Sequence, residues 1–160
     1  MKRIRHFLLG AIGGMLMVSS SAQIQNGLWS LPPGNWNQIN LTYTSLPTGP
    51  DPTLDYAGQP SQYCHNAVHD ASGNLLFFVH DGVIYDKDGV FVDFIYDFAG
   101  PVYGGAEVSI VPDPGNCNKY YIFTSFSQEQ VFGVNSYIHT EPYVVTYDLS
   151  NQYSKYILVV

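Results

Sequence analysis

Four groups of side chains in this chain have types and spacings that could do chemistry. The first is His65, His69 and His80 with Cys64, Asp70 and Asp81. Imidazole, thiolate and carboxylate are the ligands of zinc. On an extended strand, however, His65 and His69 share a face only two pleats apart, about 13 Å. One ion cannot reach both without a bend, so histidines satisfied at turns or at the surface are the better reading. The second group is Asp81, Asp86, Asp88 and Asp93, which raises calcium binding or a glycosidase carboxylate pair. Asp86-Lys87-Asp88-Gly89 is too short for the helix-flanked calcium loop. Turn chemistry explains all of these acids except Asp93, which fits an outward strand position. Glu107 and Glu141 stand isolated in the sequence.

The third group is the pair Cys64 and Cys117, which could form one disulfide in an oxidising compartment. Two buried free thiols are the alternative, because spacing alone does not fix the geometry a disulfide needs. The fourth is Phe126, Phe132, Tyr137 and His139, with Val131 and Ile138 between them. Aromatics on a loop could stack on sugar or dock a partner. The bland alternative is an extended hairpin whose apolar side lies on a sheet. Trp29 and Trp36 carry a similar choice between capping a core edge and stacking on sugar. No nucleophile elbow, phosphate loop or dinucleotide fingerprint occurs. No catalytic residue, metal or cofactor is therefore assigned.

The elements that must position these residues centre on Asp70 to Gly89. Asp70-Ala71-Ser72-Gly73-Asn74 is turn chemistry. Leu75 to His80 is an apolar run of strand length. Asp81-Gly82 is a tight-turn signal, Val83-Ile84-Tyr85 the return strand, and Asp86 to Gly89 a further turn. This is a β-meander. Further strands are expected at Gln38–Thr44, with Ile39, Leu41 and Tyr43 alternating against polar neighbours, and at Val90–Tyr96, Ala106–Val111, Lys119–Ser125 and Tyr143–Asp148. Gly100-Pro101 and Gly104-Gly105 read as breaks.

The first 22 residues read as an export signal. Lys2, Arg3 and Arg5 precede an apolar stretch, Phe7 to Val18, that is too short to span a bilayer. Ser20-Ser21-Ala22 supplies the small residues of a cleavage site. Cleavage would leave 138 residues in which three lysines face thirteen acids, a net charge of −10. That charge argues against nucleic acid and anionic lipid surfaces as partners. It leaves protein ligands and neutral or cationic carbohydrate. No other stretch is long and apolar enough for a transmembrane helix.

The chain also repeats. Asp70-x-x-Gly73-Asn74 precedes one strong strand and Asp113-x-Gly115-Asn116 another, with the glycines 42 residues apart. Tyr85-Asp86 and Tyr147-Asp148 correspond too, but their tyrosines are 62 apart, so the second unit carries about twenty extra residues between Ser125 and Glu141. A period of roughly 40–45 residues with four short strands is that of a β-propeller blade.

The blocks His69–Asp86 and Ile110–Ser125 resemble the N-terminal, WD-repeat-like propeller region of large secreted surface proteins of Bacteroidota. Many of those proteins carry adhesion-type modules and a C-terminal signal for type IX secretion. The resemblance covers roughly residues 24–160 and implies blades, secretion and a binding role. It supplies no catalytic residues.

The fold expectation is therefore all-β, a partial propeller over 23–160 behind a signal peptide over 1–22, with a β-sandwich as the alternative. Tyr156 to Val160 reads as mid-strand, so the set of blades is expected to be incomplete and an apolar flank to promote self-association. The functional expectation is a non-enzymatic secreted or cell-surface binding module. The alternative is a carbohydrate-active enzyme using acids such as Asp93 and Glu107. N-terminal sequencing of the exported protein should begin at Gln23; intact Met1–Ala22 on the mature form would sink the secretion reading.

Overall fold

The computed structural model describes residues 28–31, 33–37, 42–96, 102–105, 107–132, 134–151 and 153–158. The signal segment lies outside them. The fold is all-β, in three antiparallel sheets. The first sheet holds β1 (Leu28–Leu31), β2 (Gly34–Asn37) and β3 (Thr42–Ser45) in sequential order. The second holds β4 (His65–His69), β5 (Leu75–His80), β6 (Val83–Asp86) and β7 (Phe91–Phe94), again in sequential order. The third is built on β10 (Asn116–Phe132) and β11 (Asn135–Asp148). There β12 (Tyr153–Leu158) flanks β11, and β8 (Val102–Gly105) and β9 (Ser109–Asp113) share the far edge of β10.

The turns follow the acids. Asp70 Oδ1 accepts the backbone N–H groups of Ser72 and Asn74 at the β4–β5 turn. Asp86 Oδ1 does the same for Asp88 and Val90 between β6 and β7. In the third sheet, Asp113 Oδ1 takes the Gly115 N–H between β9 and β10, and Asp148 Oδ1 the Ser150 N–H after β11. Each is an aspartate closing its own turn.

The strands bury two faces. Phe77, Val79 and Ile84 of the second sheet pack against Tyr120, Ile122, Phe126, Tyr143, Val145 and Tyr147 of the third. Phe77 stands edge-on between Tyr120 and Tyr147, with ring centroids 5.1 and 4.8 Å away. Such aromatic pairs add roughly 0.5–1.5 kcal/mol beyond their area. The opposite face of the second sheet presents Ala67, Phe78 and Tyr85 to Leu46 and Tyr56. The uniformly apolar run of β5 thus reflects cover on both sides. Among the described residues the third sheet is covered on one side: on its outer face Phe123 is 41% and Val111 47% exposed.

Several elements depart from expectation. The strand expected over Gln38–Thr44 is observed as Thr42–Ser45, and all four of its residues are exposed. Ile39 and Leu41 lie outside the described residues. Gly104 and Gly105 do not break the chain; they pair with Ser127 and Phe126 as β8. The reason is close approach. A Cβ on Gly105 would sit 3.0 Å from the Phe126 ring, so glycine lets β8 lie flush against it. The strand expected at Ala106–Val111 is shifted to Ser109–Asp113, and Pro112 is tolerated because β9 is an edge.

The Asp81-Gly82 turn ties the layers together. Asp81 Oδ1 accepts hydrogen bonds from Ser61 Oγ (2.7 Å), Tyr63 N (2.8 Å) and Cys64 N (3.1 Å). Its Oδ2 accepts one from Gln62 N at 2.9 Å. Burial by itself would raise the Asp81 pKa, but the N–H groups of Gln62 and Tyr63, the Ser61 hydroxyl and the Cys64 N–H outweigh it and hold the carboxyl below its usual value. Asp81 also adopts a left-handed φ of 48°, which Asp and Asn tolerate better than other side-chain-bearing residues.

A group whose pKa is depressed by folding stabilises above its unfolded value and loses that contribution as pH falls through the folded one. Stability is therefore expected to drop as pH falls below about 4. Asp81→Ala should cost about 3 kcal/mol, since it orphans backbone donors and removes the left-handed preference. Asp81→Asn, which keeps one acceptor oxygen, should cost about 1–2 kcal/mol. Urea unfolding of both variants checks this; losses below about 0.5 kcal/mol in both would show that the carboxylate does not hold the turn.

Candidate functional site

The third sheet carries the feature that stands out from the rest of the fold. β10 and β11 stay paired from Lys119↔Asp148 to Phe132↔Asn135. Among the described residues, β12 pairs with β11 from Tyr143 to Asp148, and β8 pairs with β10 as far as Gln128. Beyond these described neighbours the two strands continue as a two-stranded ribbon. Ser127 Oγ and Thr140 Oγ1 meet across it at 2.7 Å.

Alternation sorts the ribbon into two faces. Phe126 and Gln128 share one with Tyr137, His139 and Glu141. Glu129, Val131, Ile138 and Thr140 share the other. Val131 and Ile138 are 65% and 61% exposed, so the apolar side does not lie on a sheet.

Of the four residues expected to form a ligand or partner loop, the structure brings two together. Tyr137 is 58% exposed, and His139 is exposed on the same face. Phe126 is not part of the loop. It is fully buried, packed on Tyr96 and Tyr143 at the base of the ribbon, and its ring fits over the Asp81-Gly82 turn. An aromatic adjoining a buried strand lies on the core side of the boundary between sheet and ribbon. Phe132 holds its strand position opposite Asn135, and its side chain lies outside the described residues.

The structure adds Glu141, which sequence reading left isolated. His139 Nε2 lies 3.0 Å from Glu141 Oε1, and the Tyr143 hydroxyl donates to Oε2 at 2.9 Å. The signal was available. His139, Glu141 and Tyr143 follow each other at spacing two, which places them on one strand face. The resulting strip offers an exposed aromatic, an imidazole and a carboxylate whose two oxygens are both engaged. Glu129, the nearest acid in the ribbon, belongs to the other face by register. Among the described residues, no second carboxylate shares the strip's face with Glu141.

The remaining candidates are held structurally. His80 is buried, bonds the Gln59 carbonyl through Nε2 at 3.1 Å and packs on Tyr56. His65 pairs with it across β4 and β5, and His69 lies at the far end of β4. Among the described residues, no group of three His, Cys, Asp or Glu side chains is placed to hold a metal ion. Asp93 Oδ1 accepts the Phe94 N–H on β7, and Glu107 is exposed between β8 and β9. Trp36 is half-buried on β2, opposite Trp29 and Tyr43 in register; the Trp29 side chain lies outside the described residues. No helix among the described residues is long and apolar enough to cross a membrane.

Of the two alternatives for the cysteines, the structure has free thiols: Cys64 is buried and Cys117 exposed. Cys64 lies against Thr124, whose side chain hydrogen-bonds it. Cys117 is seven residues away along β10, roughly 20 Å at strand rise. A disulfide needs Cα atoms within about 7 Å. Burial, reinforced by the charge of Asp81, pushes the Cys64 thiol up to about 11. Cys64 is thus protonated and shielded at neutral pH. One thiol should react with a labelling reagent in the native protein and two in denaturant without reductant. No labelling in denaturant would restore the bridge.

No protein-family model, no curated protein and no solved structure matches this chain.

Proposed function

We propose that the chain is an exported, non-enzymatic binding and scaffold module, built of stacked antiparallel β-sheets in a propeller-like arrangement. The β10–β11 ribbon is its contact arm. The observation that carries this reading is the ribbon itself. Fourteen cross-strand pairs hold it in register, and its outer part presents Tyr137, Ile138, Val131 and His139 to solvent. A paired ribbon loses little conformational entropy on binding, and exposed aromatics are favoured anchors. Further support comes from the aspartates, most of which accept backbone N–H groups at turns.

The test uses labelled chain on the surface of the cells that export it. Combined Tyr137→Ser and His139→Ala should lower the apparent affinity by about tenfold or more, the size of one interface hot spot. The melting temperature should not change, because both side chains are exposed. Turnover of any aryl glycoside that is lost in Asp93→Asn or Glu107→Gln would overturn the reading in favour of a carbohydrate-active enzyme.

A further inference from the structure

A concave feature lies between the first two sheets. It is a cavity of about 230 Å³. Asn35 and Thr44, cross-strand partners on β2 and β3, form one wall with Ser45. His69 at the end of β4, Leu75 at the start of β5 and Lys87 in the β6–β7 turn form the other. The wall thus combines a carboxamide, two hydroxyls, an imidazole and an ammonium with a small apolar floor.

Asn35 is the independent observation. It is only 6% exposed, and its Oδ1, closed to solvent, accepts no hydrogen bond. Native structures rarely leave a buried amide oxygen unsatisfied, and a hydroxyl donor brought by a bound guest would satisfy this one.

We propose that this cavity binds one ring of a neutral sugar, with a hydroxyl of the sugar donating to Asn35 Oδ1. In that complex the carboxamide rotates toward the guest, while Thr44 and Ser45 exchange hydrogen bonds with neighbouring hydroxyls and Leu75 receives a C–H face. The proposal rests on the binding-module reading and names a ligand class for it. Size sets the guest. The volume falls below the roughly 300–1,000 Å³ of sites for drug-sized ligands, so the cavity encloses a single ring. Charge sets its type. The Lys87 ammonium is 2.5 Å from the Asp88 carboxylate, which offsets it. Burial lowers the His69 pKa, opposed by Asp70, so its ring is neutral at pH 7. The chain as a whole carries −7, which repels anions.

The test titrates the full chain with glucose, galactose and mannose, and separately with inorganic phosphate, by calorimetry or ligand-observed NMR. At least one hexose should bind saturably with a Kd of roughly 1 mM. Asn35→Leu should weaken it by about tenfold or more while melting at or above the parent temperature, because it removes an unsatisfied amide. A residue serving only the fold would melt lower when replaced. Thr44→Val, at an exposed position that tolerates the change, should also weaken binding. No saturable hexose binding, phosphate binding in its place, or hexose binding unchanged in both variants would each overturn the site. A null hexose titration with arm-dependent adhesion intact overturns this site alone, whereas glycoside turnover overturns the module reading beneath it.

Discussion

The fold depends on one carboxylate. Asp81 collects the donors of four consecutive residues, Ser61 to Cys64, onto two oxygens. Its own N–H closes on the Cys64 carbonyl at 2.8 Å. The long connection from the first sheet is thereby fixed at the start of β4. The adjoining Gly82 has a φ of 84°, and a side chain there would collide with Tyr96 and Phe126. The same turn thus receives the ring at the foot of the β10–β11 ribbon. A single Asp-Gly turn sets where the second sheet begins, how closely the third approaches and where the ribbon departs.

What could be read from the sequence follows from how local each signal is. The turn aspartates were legible because an aspartate closes its own turn within four residues, needing nothing from the rest of the chain. The two-sided burial of Leu75–Val79 was legible because lack of alternation reports cover on both faces. The misread elements depended on distant partners. Gly104-Gly105 looks like a break until Phe126 lies across it. Phe126 looks like a loop aromatic until the Asp81-Gly82 turn lies beneath it. The thiols looked bridgeable because spacing says nothing of the roughly 20 Å that separates two positions along one strand. At the candidate site, Tyr137 and His139 were legible as a group, and Glu141 was missed although strand alternation places it beside His139. Asn35 gave no signal at all, since an unsatisfied oxygen exists only relative to its surroundings.

The second and third sheets share more than strand order. In each, the third strand ends in Tyr-Asp, and the aspartate closes the following turn. Tyr85 faces back toward Tyr56 and Leu46 in the segment before its sheet. Tyr147 likewise faces back, onto Phe77 of the sheet before it. The stacking therefore has a direction, each sheet turning its tyrosine toward the element that precedes it. The opposite face of the second sheet is covered by the third. The opposite face of the third holds Val111 and Phe123, both more than 40% exposed.

The distribution of acid bears on the proposed choice of recognition over catalysis. A glycosidase pair needs two carboxylates facing one space with lone pairs available. Here Asp51, Asp70, Asp81, Asp113 and Asp148 all have pKa values held below the usual range, with hydrogen bonds to nearby backbone or side-chain donors among the causes. Carboxylates held in that way are poor proton donors at neutral pH, because the interactions that build the turns favour the ionised form. Acid catalysis needs the opposite shift. These five carboxylates are therefore engaged in turns and local backbone. Two surfaces of other chemistry stand beside them, the Tyr137–His139 face of the ribbon and the Asn35–Thr44 wall between the first two sheets. Under the proposed binding role, aromatic, amide and hydroxyl groups of that kind would act by stacking and neutral hydrogen bonding.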